Sequence, residues 1–113
     1  MAKIYGMHTL ALRPGVKGED FERFVAQEVL TLPMPEAWRL SLLKGDRGER
    51  EGKYLALWEI ESVAARDRIA PSGSEFSAEG QAILASWAAI TEKWTTYATP
   101  IGEIFTDYVE VSD

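Results

Sequence analysis

The residues Lys53-Tyr54-Leu55-Ala56-Leu57-Trp58-Glu59-Ile60-Glu61-Ser62 decide how the rest of the chain can fold. They read as a strand, in which alternation sends Tyr54, Ala56, Trp58 and Ile60 to one face and Leu55, Leu57, Glu59 and Glu61 to the other. Both faces are largely apolar, so each needs a cover. Helices from the same chain can supply one cover. In a chain of 113 residues the second is expected from another copy, giving a homodimer. Glu59 would then point toward the junction between copies, where an unpaired carboxylate is costly, and Arg13 or Arg39 of either chain is expected to neutralise it.

Upstream of this strand, Trp38-Arg39-Leu40-Ser41-Leu42-Leu43-Lys44 predicts its hairpin partner, joined through the polar loop Gly45 to Gly52. The loop has glycines and alternating charge but not the spacing of a phosphate-binding loop, so it reads as a solvated tip. Lys3 to Arg13 predicts the first strand, with Ile4, Gly6, His8, Leu10 and Leu12 on one face and Tyr5, Met7, Thr9 and Ala11 on the other, ending at Pro14-Gly15. Between these strands, Phe21, Phe24, Val25 and Val29 fall at helical spacing behind Glu19 and Asp20, predicting an amphipathic helix that ends near Leu30 before Pro33 and Pro35.

Downstream, Ser62 is the expected N-cap of a short helix through Val63, Ala64, Arg66 and Ile69, interrupted by Pro71-Ser72-Gly73-Ser74. Ile83, Trp87, Ile90, Trp94 and Tyr97 then form one stripe of a longer helix closed by Thr99-Pro100. Gly102 to Val111 predicts a fourth strand. The order is β-α-β-β-α-β, a single α+β domain over residues 1–113. In the ferredoxin-like form of that order, a four-stranded antiparallel sheet carries both helices on one face and holds the first strand between the third and fourth.

Composition limits the chemistry. A net charge of −6 argues against a nucleic-acid partner, which calls for clustered Lys and Arg. No stretch approaches the apolar length of a membrane span and the start Met1-Ala2-Lys3-Ile4 lacks a hydrophobic signal region, so no membrane partner and a cytoplasmic location are expected. The chain has no cysteine and one histidine, which removes disulfides and thiolate chemistry and leaves no plausible structural zinc site. No Ser has the context of a nucleophile elbow, since Ser62, Ser72, Ser74 and Ser77 fall at caps or in loops.

His8 is therefore the first candidate for a general base, because an unperturbed imidazole titrates at roughly 6.5. The same residue also reads as a half-buried strand histidine with satisfied nitrogens. Trp58, Tyr54, Trp87, Trp94, Phe21 and Phe24 could line a flat apolar cavity for an aromatic ligand, or could simply fill the core. Asp107 and Tyr108 fall on the fourth strand beside the first, and whichever shares the face of His8 could orient it.

The element order, together with the run Tyr54-Leu55-Ala56-Leu57-Trp58-Glu59-Ile60-Glu61-Ser62, resembles the dimeric α+β barrel superfamily, which includes stress-responsive barrel proteins and antibiotic-biosynthesis-type and haem-degrading monooxygenases. The resemblance implies a barrel closed by two sheets and a pocket between sheet and helices. It places His8, ahead of Leu-Ala-Leu-Arg-Pro-Gly, where the haem-degrading branch keeps a pocket asparagine. Ile60 stands where the monooxygenase-like members usually carry an aromatic, and Ile69 where they often carry a histidine.

The reading these residues support is a homodimer binding a small aromatic or polyketide-like molecule. If it is an enzyme, it works without a cofactor, by proton abstraction, isomerisation or oxygenation with His8 as the proton-transfer group. A second reading is haem binding with His8 as axial ligand. A third is a non-catalytic dimer with a filled core, in which Trp58 and Trp87 touch with no cavity between them. The same parts would also serve an engineered scaffold with a base installed at His8.

Overall fold

A computed structural model of the chain describes residues 2–100 and 106–111. It is an α+β fold built on an antiparallel sheet. β1 (Ile4–Leu12), β2 (Trp38–Lys44) and β3 (Tyr54–Ile60) lie in the order β2-β3-β1. The free edge of β1 is shared by two short strands. β4 (Ala98–Pro100) pairs with Leu10 to Leu12 and β5 (Thr106–Val109) pairs with Ile4 to Met7. Among the described residues the sheet thus has five strands and is not closed. The single fourth strand expected over Gly102 to Val111 is observed from Thr106 only, and residues 101–105 lie outside the described residues. β4 runs where the sequence predicts only a helix terminator. Proline brings no backbone N–H to a ladder, which confines such a strand to an edge.

The registers place the expected side chains on one face. Gly6 faces Trp58, His8 faces Ala56 and Leu10 faces Tyr54 across β1 and β3. Leu40 and Leu42 of β2 meet Trp58 and Ala56 from the other side. On this face lies the core of Leu10, Phe21, Phe24, Val25, Val29, Tyr54, Ala56 and Ala98. The opposite face carries Tyr5, Met7 and Thr9 against Glu59, Leu57 and Leu55, and it is partly open, with Leu43 45% and Tyr108 52% exposed. Glu59 is met there by Arg39 at 3.7 Å and Lys3 at 3.9 Å, both from its own chain.

α1 (Gly18–Phe24) opens on Glu19 and Asp20 as the helix dipole favours, then widens into a π-turn over Val25–Val29, where the Leu30 N–H donates to Val25 O at 2.9 Å. α2 (Val63–Ile69) is capped by Ser62, whose Oγ accepts from the Ala65 N–H at 3.1 Å. The long helix expected around Ile83 to Tyr97 is two, α3 (Ala78–Ser86) and α4 (Ala88–Tyr97), meeting at Trp87 with φ −96° and ψ −1°. The Ser86 hydroxyl donates back to Ile83 O at 2.6 Å, a bond that bends helices. The aromatic stripe survives the break: Trp94 meets Phe21 edge-on at 5.2 Å and Tyr97 stacks on Phe24 at 4.6 Å.

Candidate functional site

The floor between sheet and helices is uneven because large and small residues alternate on it. Gly6 and Ala56 flank His8 and Trp58, and among the described residues two cavities open over this floor, one beside Gly6 and one beside Ala56. The larger, about 390 Å³, lies among Gly6, His8, Trp38, Trp58, Arg66 and Asp107 and runs beneath the Ala70–Phe76 loop. The smaller, about 340 Å³, runs along Leu10, Val29, Leu40, Ile90 and Trp94. Both fall in the range of roughly 300 to 1,000 Å³ typical of small-molecule sites.

His8, Trp58, Leu84 and Trp87 belong to both cavities. The Trp58 and Trp87 rings stack at 5.9 Å and 13° between planes, while Trp38 meets Trp58 edge-on at 5.6 Å. Two of these indoles are anchored by their N–H groups, Trp38 to Ala65 O at 3.1 Å and Trp87 to Pro33 O at 2.9 Å. The contact expected of a filled core is present, with a cavity on each side of it.

The register of β5 settles which fourth-strand residue joins His8. Asp107 pairs with Gly6 and lines the larger cavity; Tyr108 pairs with Tyr5 on the opposite face. A methyl group at Gly6 would come within 3.1 Å of Asp107 Oδ1, so glycine there leaves room for the carboxylate on the cavity floor. Asp107 Oδ2 lies 3.5 Å from Nη1 of Arg66, whose Nε donates to Asp67 Oδ1 at 3.1 Å.

Of the residues singled out from the sequence, His8, Trp58, Trp87 and Asp107 come together at the larger cavity, and Trp94 lies in the smaller with the first three. Tyr54, Phe21 and Phe24 share the sheet face but are buried in the core, and among the described residues they line neither cavity. Tyr54 donates its hydroxyl to Glu22, in a contact that Lys44 joins at 3.5 Å. Burial, and then this carboxylate, push the phenol up to about 12. The hydrogen bond from Tyr54 holds Glu22 below its ordinary value.

Arg66, Trp38, Leu84 and Phe76 join the cavity without a sequence signal that singles them out. No three His, Cys, Asp or Glu side chains gather to hold a metal among the described residues. Nor, among them, is any helix long and apolar enough to cross a membrane. Compared with known proteins, the chain matches no family model, no curated protein and no solved structure.

Proposed function

We propose that this chain is a small-molecule-binding protein of the ferredoxin-like, dimeric α+β barrel kind, holding a planar aromatic ligand beneath its helices with His8 as the proton acceptor. The observation that carries this reading is the position of His8 on the common wall of two largely apolar cavities, beside the stacked Trp58 and Trp87 rings. Indole faces offer a flat ligand stacking and exclude water, and a single imidazole among them has few competitors for a ligand proton. Asp107, on the same face two residues along the ladder, brings a carboxylate to the same wall. Proton abstraction next to a carbonyl, or isomerisation, would use His8 to take and return the proton. The second copy would cover the sheet face of Met7, Leu55 and Leu57, which the helices of the core do not roof.

The test is deuterium exchange into the methyl group of 2-acetylnaphthalene in D₂O, followed by proton NMR. The protein is expected to accelerate exchange, and His8→Ala and His8→Gln to abolish the acceleration while leaving binding of the ketone within about threefold, about 0.65 kcal/mol. Binding without any acceleration would remove the base role. No binding would remove the site.

A further inference from the structure

We infer that Arg66 selects the ligand of the larger cavity, and that this ligand is a planar aromatic molecule bearing an acidic oxygen: a carboxylate, phenolate or enolate. The inference rests on the reading of that cavity as a ligand site and adds to it the chemistry that the ligand must present.

The walls are mostly rings and small residues, and their charged side chains among the described residues are Arg66 and Asp107. The Arg66 side chain is 28% exposed, so its guanidinium is partly shielded while the N–H donors without a protein acceptor reach solvent. It has fewer acceptors than it can use. Nε is bonded to Asp67 at 3.1 Å, while Nη1 approaches Asp107 at 3.5 Å, longer than the roughly 2.7 to 2.9 Å of a charge-assisted bond. Among the described residues the guanidinium donates no other hydrogen bond. Asp107 therefore engages the group without saturating it, and Arg66 lines the cavity with donors to spare.

The two neighbouring carboxylates do not make the site hostile to an anion. Asp67 is 45% exposed, so solvent and salt screen it. The Asp107 side chain, 30% exposed, lies 3.5 Å from Arg66, and that long contact can yield to a ligand oxygen at bonding distance. A planar acid also suits the fork geometry of arginine, which binds carboxylates through two parallel bonds. For a ligand whose oxygen is a carbonyl, negative charge would collect on the oxygen facing Arg66 as His8 takes the neighbouring carbon's proton, leaving an enolate there.

The experiment is calorimetric titration with two shape-matched probes, 2-naphthoate and the neutral 2-naphthamide. The protein is expected to bind naphthoate about tenfold more tightly, which is about 1.4 kcal/mol. Arg66→Gln should bring naphthoate down to the level of naphthamide without changing the latter, Arg66→Lys should keep part of the preference, and Asp107→Asn should raise it. The preference should be constant from about pH 6 to 9, because arginine stays charged throughout. A preference that fades through the range of a histidine would assign the anion to His8 and overturn the inference. So would a preference that survives Arg66→Gln. Equal binding of the two probes overturns the Arg66 assignment and leaves the cavity reading standing; binding of neither brings down both.

Discussion

Replacing Gly80 with alanine should destabilise the fold although it improves the helix. Gly80 is in the first turn of α3, its N–H donating to the capping Ser77 hydroxyl at 3.1 Å. On helix propensity alone, Gly→Ala in a helix interior gains about 1 kcal/mol. Here the added methyl would fall inside the van der Waals envelope of the Ile69 carbonyl oxygen and 3.2 Å from the Ile69 Cγ2. That carbonyl cannot easily move, because it accepts the Ser77 N–H at 2.9 Å and the Ser77 hydroxyl at 3.2 Å. Overpacking costs about 1 to 3 kcal/mol, and weakening either hydrogen bond adds about 1 kcal/mol. The net loss is about 1 to 3 kcal/mol, which for a domain of this size lowers Tm by roughly 4 to 13 °C. Thermal and urea melts of Gly80→Ala beside the exposed control Gln81→Ala measure it. A Gly80→Ala protein as stable as the parent, or more so, would show that the α2–α3 junction is not packed as described and would put the loop over the larger cavity in doubt.

Two further outcomes are expected. The phenol of Tyr54 ionises at about 12 when folded against an ordinary 10.0, so its contribution to stability is complete below about pH 10 and is lost as the pH rises through 12. Between those limits the parent should lose stability more steeply than Tyr54→Phe in denaturant titrations; parallel curves would mean that the Tyr54 to Glu22 contact does not persist in solution. On the open sheet face, light scattering at micromolar concentration should give a mass near twice 12.6 kDa, and Leu57→Lys should return it to the single-chain value. A parent protein that is monomeric under those conditions refutes the paired-sheet arrangement.

Much of the fold was legible because alternation and helical spacing are local. The division of β1 and β3 into two faces, the Ser62 cap and the stripe from Ile83 to Tyr97 all follow from residues near one another in the chain. The break at Trp87 was not legible, since the stripe keeps its spacing through a one-residue kink, at which the Ser86 hydroxyl turns back on its own helix. The candidate site divides in the same way. Periodicity gives the face of His8, Trp58 and Trp87 but not the position along it, so it groups Tyr54, Phe21 and Phe24 with them although they pack at the other end of the sheet. Asp107 and Tyr108 can be told apart only once the register of β5 against β1 is known. Arg66 escapes notice because a seven-residue helix has too few turns to announce which side it presents.

The stacked indoles of Trp58 and Trp87, with Trp38 edge-on to the first, give the molecule a built-in optical probe. Rings this close couple electronically, so their near-ultraviolet circular dichroism reports the angle between them more than the polarity around them. Because the pair borders both chambers, any guest that tilts one ring changes the same spectrum whichever side it enters, with no dye or label and whatever the guest's chemistry.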